Sequence, residues 1–399
     1  AKVIESKKID QEQFKSFMDP HLVYHDFSLF EEADETLERI EEAIANKEKI
    51  CIYGDYDCDG ILATTILVQA FHERGVKVGY HIPNRFTDGY GLNTTRVEQM
   101  AEKGYSLIIT VDNGIKAFDA VEKAGELGID VIITDHHAFD GEVPVAYSII
   151  HTKMSPKYPF KEICGGFIAY KLAAALLKHH DPYLFTLASI TTISDMMPLL
   201  DENRSLVRRG LQFMKQYKYP SLELLKGSRD YDVTTIGFTI APRINAFGRL
   251  PELVNPVYLV KYFLKEADSA YLKKISNYAS KINSKRQSMT TSLLGVAAMR
   301  KGLHTAILDA DVTGPSIPQA FGLHERLLGN SEGIILPAMT NFGIEVVSLN
   351  LMLEEETQPV IWRGPVVADV VKQFWGKTLW KDIDVMFVDM PPGTGEVPL

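Results

Sequence analysis

Three acids occupy alternate positions in Asp55-Tyr-Asp57-Cys-Asp59-Gly60, immediately after a short apolar run from Lys49 to Tyr53. Carboxylates this close repel one another, and burying them without partners costs on the order of several kcal/mol each. Divalent cations are the usual remedy, because hard oxygen ligands suit Mg²⁺ and Mn²⁺. A solvated acidic turn is the plain alternative. The choice depends on whether the chain returns to the same place with further ligands. It does, at Asp112, at Asp135-His136-His137 and at Asp195.

The expected ligand set is therefore Asp55, Asp57, Asp59, Asp112, His136 and Asp195. Carboxylates with one imidazole favour Mn²⁺, with Mg²⁺ as the weaker alternative. Two ions about 3.5–4 Å apart, bridged by a carboxylate, can activate a water and clamp both oxygens of an in-line displacement at phosphorus. Asp112 is the natural bridge, and Asp112, His136 and His137 are the catalytic candidates. On a strand His137 would point away from His136, leaving it to support the site from behind or to donate to the phosphate. Asp135 is placed to orient an imidazole, and His81 reads as structural. Arg243, Arg249, Arg204 and Arg208 could contact phosphates through their guanidinium forks, with Asn245 between the first two. Surface salt bridges are the competing reading for each arginine. Tyr90 and Asn93 lie in a loop that could meet substrate, although loop aromatics are more often simply packed.

The elements that must position these groups follow from periodicity. Lys49–Tyr53, Val76–Pro83, Ser106 to Asp112, and Asp130 running into Asp135-His-His137 read as strands, and helical stretches at 61–74, 94–103 and 116–127 alternate with them. That alternation means βαβ units and a parallel sheet covered on both faces, with the C-terminal strand ends along one edge. Acids about eighty residues apart in sequence then share one rim. An acidic amphipathic helix near 29–44 precedes the first strand. Helices at 165–178, 185–193 and 201–211 follow the sheet, then a loop at 239–249 and a polar helix near 264–289. Further on, Ser292–Arg300 reads as helix, Leu303–Leu308 as a strand ending on Asp309 and Asp311, and Ile383–Val388 as a strand ending on Asp389. There is no internal repeat.

At 399 residues the chain can hold two or three domains, and 46% hydrophobic with 24% charged residues is ordinary soluble-protein composition. The longest apolar runs are too short for a membrane span, and Ala1–Lys8 lacks the apolar core of a secretory signal. Cys51, Cys58 and Cys164 form no CxxC pair, which argues against zinc, iron–sulfur or disulfide frameworks and fits a reducing cytoplasm. With a net charge of −10, any contact with a polyanion must come from a local basic patch and from metal ions.

Asp55–Gly60, Val111-Asp-Asn-Gly114, Asp135-His-His137 and Ser194-Asp-Met-Met-Pro198 resemble the successive motifs of the DHH phosphoesterase superfamily. Asp88-Gly-Tyr-Gly-Leu-Asn93, Glu202-Asn-Arg204 and Ala241-Pro-Arg-Ile-Asn-Ala-Phe-Gly-Arg249 narrow the resemblance to the RecJ-type single-strand-specific DNA exonucleases, over roughly residues 15–289. The resemblance implies hydrolysis of single-stranded DNA from its 5′ end in repair and recombination. It implies the same six ligands, and partners such as a single-strand-binding protein or a helicase. The second, substrate-holding domain and the OB-fold usual in that family are not found. From about residue 291, Leu308–Pro318, Trp362-Arg-Gly-Pro365 and Val388–Gly395 resemble instead the Mrp-type P-loop ATPases that carry iron–sulfur clusters. A nucleotide site there would need a glycine-rich phosphate loop with a lysine before the helix. That position reads Lys285-Arg-Gln-Ser-Met-Thr-Thr, so no ATP binding is expected. The two resemblances meet near Met289–Ser292.

The expected fold is thus α/β: a parallel-sheet DHH phosphoesterase domain (1–200), a helical connector with a basic loop (201–290) and a partial Mrp-like α/β segment without its phosphate loop (291–399). The alternatives for function are a DHH phosphodiesterase acting on short oligonucleotides or cyclic dinucleotides, and an Mrp-like ATP-binding iron–sulfur carrier.

Overall fold

The computed structural model describes residues 22–310, 317–327, 329, 333–352 and 364–390. Asp311 and the motif segments 311–316, 362–363 and 391–395 lie outside them. The chain divides into two compact units, residues 1–276 and 277–399.

In the first unit five strands form an all-parallel sheet: β1 (Ile50–Tyr53), β2 (Gly79–His81), β3 (Leu107–Val111), β4 (Asp130–Thr134) and β5 (Ser148–Ile150), in the order β2-β1-β3-β4-β5. Residues of β1, β3 and β5 are all buried, as expected of strands covered on both faces. On one face α3 (Thr94–Glu102) and α4 (Phe118–Glu126) lay Val97, Met100, Val121 and Ala124 on Cys51, Tyr53, Ile108 and Val131. Helix α1 (Ala33–Ala45) precedes the sheet and meets β5.

The remaining helices are α2 (Cys58–Glu73), α5 (Gly165–Leu177), α6 (Pro182–Ser194), α7 (Asp201–Tyr217), α8 (Pro220–Lys226), α9 (Ala241–Arg249), α10 (Val257–Phe263) and α11 (Ser269–Arg300). Helices α2 and α5 are apolar almost all round and buried along nearly their whole length, the pattern of core helices. The hydroxyls of Thr64 and Thr65 are satisfied by carbonyls one turn back, at Gly60 and Ile61. Buried Lys171 on α5 donates to Glu202 on α7 at 2.7 Å, and Tyr158 donates to the same carboxylate at 2.5 Å. The segment expected as a loop at 239–249 is instead a π-helical turn (Ile236–Ile240) running into α9. Pro242, which has no N–H to donate, comes just after that π-helical turn.

The second unit has β6 (Thr305–Asp309), β7 (Ala338–Met339), β8 (Glu345–Ser348) and β9 (Val385–Asp389) in the order β7-β8-β6-β9, with only β7 antiparallel. The short α12 (Ile317–Phe321) and α13 (Gly364–Lys377) complete it. Residues 289–292, where the two resemblances meet, lie inside the continuous helix α11. The α/β class expected for the chain is what is found.

Candidate metal centre

In the five-stranded sheet the strand order reverses at β1, and the crevice outside the C-terminal strand ends at such a point is where open α/β sheets bind ligands. The acidic loop leaves β1 there. Asp57 caps α2, accepting from Gly60 N at 3.0 Å, and Asp59 lies in that helix's first turn. The carboxylate of Asp59 is gripped from the other side by the first backbone amides of α5, Gly165 N and Gly166 N, each at 2.8 Å. Both positions must be bare. A Cβ on Gly165 would come within 2.6 Å of the Asp112 Cβ, and one on Gly60 within 2.5 Å of the Asp55 backbone.

Asp112 extends β3 by one hydrogen bond, from its N–H to the Thr134 carbonyl, and then turns through a positive φ of 63°. That left-handed backbone, uncommon outside glycine, asparagine and aspartate, swings its carboxylate into the crevice. Strand β4 stops at Thr134, so residues 135–137 form a turn. Asp135 points inward and organises that turn, accepting from Ile115 N, from the backbone amides of His136 and His137, and from His137 Nδ1 at 2.7 Å. Strand alternation therefore does not separate the two histidines, as the sequence reading expected. Their ring centroids are 4.4 Å apart, and His137 Nδ1 lies 3.9 Å from Asp112 Oδ1.

His136 Nε2 is at the centre. It lies 3.1 Å from Asp112 Oδ1 and 3.7 Å from both Asp59 Oδ2 and Asp195 Oδ2. The 3.1 Å approach lacks hydrogen-bond geometry, and both atoms stay buried without a hydrogen-bond partner among the described residues, as does Asp55 Oδ1. Two lone-pair donors facing each other across such a gap are arranged to share a cation rather than a proton. Ligand atoms fall into three groups, each within 4.8 Å: Asp55, Asp57 and Asp112; Asp59, His136 and Asp195; and Asp112, His136 and His137. Asp112 and His136 connect them.

The electrostatics agree. Burial, then the charge of Asp57, pushes Asp55 up to about 7. Burial, then Asp59 and Asp57, does the same to Asp195, also to about 7. Asp112 is driven well above the carboxylate range by burial and then by Asp59, Asp57 and Asp55. Burial lowers His136, keeping a neutral imidazole with a free lone pair. At His137 burial is outweighed by the hydrogen bond and charge of Asp135, so its pKa rises. A cluster of acids held against their own repulsion, beside a neutral imidazole, fits divalent cations.

The residues expected to touch substrate fare differently. Asn245 reaches the acidic loop, but its Oδ1 accepts from Cys58 N at 2.7 Å, so it holds that loop's backbone. One turn on, a Cβ at Gly248 would meet the Tyr56 carbonyl at 2.0 Å, so α9 lies directly on the loop. Arg243 turns the other way and donates to the Leu225 carbonyl, while burial and then Arg229 depress its pKa. Arg249 is exposed at the end of α9. Arg204 and Arg208 sit one turn apart on α7, and burial and then Arg208 lower the pKa of Arg204. Tyr90 places its hydroxyl 3.3 Å from the His137 ring while its own ring stays half exposed. Asn93 caps α3, and His81 lies 3.6 Å from Asp88, away from the cluster. The glycine pair at 165–166 reads in the sequence only as the start of the helix at 165–178. Its grip on Asp59 does not show there.

A parallel α/β sheet with a carboxylate–imidazole cluster at its switch point is an arrangement suited to holding divalent cations. Residues 49–194 match the model of the DHH family, N-terminal domain, and residues 286–399 that of the ParA family, described as NUBPL iron-transfer P-loop NTPase. The chain is similar to the single-stranded-DNA-specific exonuclease RecJ of Bacillus subtilis, 40% identical over 265 residues, covering 65% of this chain and 33% of that protein. It is 33% identical to RecJ of Thermus thermophilus, over 64% of this chain and 38% of that one. The chain thus spans little more than a third of the length of these relatives. A crystal structure of exonuclease RecJ bound to manganese superposes with a TM-score of 0.61 at 28% identity, covering 75% of this chain and 77% of that one. The second unit is similar to the iron–sulfur cluster carrier protein of Clostridium perfringens, 42% identical over 120 residues, 28% of this chain and 42% of that one.

Proposed function

We propose that this chain is a two-cation phosphodiesterase that hydrolyses single-stranded DNA as a 5′→3′ exonuclease in repair and recombination, in the cytoplasm. The observation that carries the reading is the set of buried, unpartnered lone pairs on Asp55, Asp112 and His136, converging in a segment similar to RecJ. Asp55, Asp57 and Asp112 would hold one Mn²⁺ or Mg²⁺, and Asp59, His136 and Asp195 the other. When bound, such a pair lowers the pKa of a water and balances charge on both oxygens of an in-line displacement.

The chain's own groups do the rest. Asp112 belongs to the first ligand group and lies 3.1 Å from His136 of the second, its left-handed backbone turning the carboxylate into the crevice. Gly165 and Gly166 fix Asp59 by two amide hydrogen bonds, and Asp135 fixes the turn carrying both histidines. His137, whose pKa Asp135 raises, is suited to donate to a phosphate oxygen, with Tyr90 against its ring. Arg249, exposed at the end of α9, and Arg204 and Arg208 on α7 are assigned to the strand's phosphates, while Asn245 holds the acidic loop and Arg243 is taken up by the Leu225 carbonyl. A single-strand-binding protein or a helicase would present the strand.

The test is nucleotide release from 5′-labelled single strands with Mn²⁺, with EDTA, and in His136→Ala. Metal-dependent release that His136→Ala abolishes is expected, and full activity in that variant would refute the site. Faster turnover of a dinucleotide than of a long strand would favour the short-oligonucleotide or cyclic-dinucleotide reading instead.

A further inference from the structure

Five of the six candidate ligands hang from strand ends or from the first turn of the buried helix α2. Asp195 does not. It caps the C-terminus of α6 and opens a turn in which Met196 takes a left-handed backbone and is 88% exposed. Backbone hydrogen bonds from Asp195, Met196 and Met197 back to Thr191, Ile193 and Thr192 fix the start of that turn, but the stretch that follows it has no sheet ladder to hold it.

The structure assigns that task to Asn203, a fully buried side chain in the first turn of α7. Its carboxamide nitrogen donates twice, to the Pro198 carbonyl at 3.0 Å and to the Glu162 carbonyl at 2.7 Å. Pro198 lies three residues past Asp195, and its carbonyl also accepts from Leu200 N at 2.9 Å. Glu162 lies three residues before Gly165, whose amide grips Asp59. One amide group thus ties the loop carrying Asp195 to the loop clamping Asp59, two ligands of the same candidate cation. Helices α5 and α6 already touch where Gly166 meets Thr191, a contact a Cβ would bring to 2.5 Å. Asn203 extends that contact past the helix ends, where the ligands are. It is a positioning residue for the cation site and has no counterpart among the residues that would touch substrate.

This inference rests on the two-cation reading, and its test separates the two. Mn²⁺ affinity is measured by electron paramagnetic resonance of the free ion, alongside thermal unfolding with and without Mn²⁺. The set is the unsubstituted chain, Asn203→Asp, Asn203→Ala, Asn203→Ser and a reference, Tyr158→Phe, which removes a hydrogen bond to neighbouring Glu202 only. Losing a support behind metal ligands costs about 10-fold in affinity. That loss is expected for Asn203→Asp and Asn203→Ala, and a smaller one for Asn203→Ser, which keeps one donor. The Tyr158→Phe protein should melt earlier yet bind Mn²⁺ like the unsubstituted chain. Unchanged affinity in the folded Asn203 variants overturns the proposal while leaving the cation site standing, as does an equal loss in Tyr158→Phe. Absence of Mn²⁺ binding in the unsubstituted chain overturns the site and the proposal together.

Discussion

Both sheets of this chain end strands on buried aspartates, and the two surround them differently. In the second unit Asp389, at the end of β9, takes a hydroxyl on each oxygen, from Ser288 at 2.7 Å and Thr291 at 3.1 Å. Asp309, at the end of β6, accepts from Ser348 at 2.9 Å. In the first unit the neighbours of Asp55 and Asp112, just past β1 and β3, are other carboxylates and an imidazole lone pair. Strand-end position alone is common to both, so it does not mark a cation site. What marks one is a buried carboxylate whose surroundings supply repulsion where hydrogen bonds would be expected.

Replacing Asp112 by Asn breaks the comparison most severely. Asparagine keeps the shape and tolerates the positive φ, but it cannot bridge cations as a carboxylate does. Loss of roughly 10³-fold in Mn²⁺-dependent hydrolysis is expected, about 4 kcal/mol of barrier. Without metal, the same variant should be more stable, because a repelling buried acid is gone. A Tm higher by about 2–4 °C corresponds to a gain near 1 kcal/mol. Calorimetry in EDTA beside a nuclease assay reads both signs, and a metal-free Tm that falls with activity would show Asp112 to be a structural acid.

Acidity sharpens the contrast. In the metal-free chain Asp55 and Asp195 hold their protons up to about 7, far above an unfolded carboxylate. The folded state then binds more protons than the unfolded one between about pH 4 and 7. The stability these two groups contribute is full below the unfolded pKa and is lost as pH rises through about 7. The metal-free protein should therefore become easier to unfold from pH 5 to 8, with urea midpoints falling. Mn²⁺ affinity should rise over the same range, since binding displaces those protons. Midpoints that rise with pH in EDTA, and fall in Asp55→Asn, would contradict this account.

Much of the centre was legible because its residues interrupt apolar runs. Asp55, Asp112 and Asp135 each follow a run too apolar to be anything but a buried strand, and parallel topology brings such ends to one rim. The failures occur where an element stops or bends. β4 ends one residue before Asp135, so the alternation used to separate His136 from His137 no longer applied. The stretch 239–249 has a proline and a glycine, as a loop would, but in the fold it is helical and lies on Tyr56 and Cys58. Asn245 accordingly serves the acidic loop. Asn203 and the Gly165–Gly166 pair act on groups distant in sequence, through amides, and nothing in local pattern announces such reach. The three-residue strand β5 is too short to show a period.

The smallest expected effect lies in the second unit, where Ser288→Ala removes one of the two hydroxyls on Asp389. A hydrogen bond to a buried charge is worth about 1.5–3 kcal/mol, and Thr291 remains to hold the other oxygen. All three tryptophans, Trp362, Trp375 and Trp380, belong to this unit, so their fluorescence reports its unfolding selectively. The urea midpoint read this way should fall by about 1 M, taking a slope of about 2 kcal/mol/M, while Mn²⁺-dependent hydrolysis stays the same. The opposite pattern, lost hydrolysis with an unchanged midpoint, would mean that the hydroxyl-satisfied aspartate is the functional one. A carboxylate already paired with two hydroxyls has little left to offer a cation, and for that reason the stability loss is the expected result.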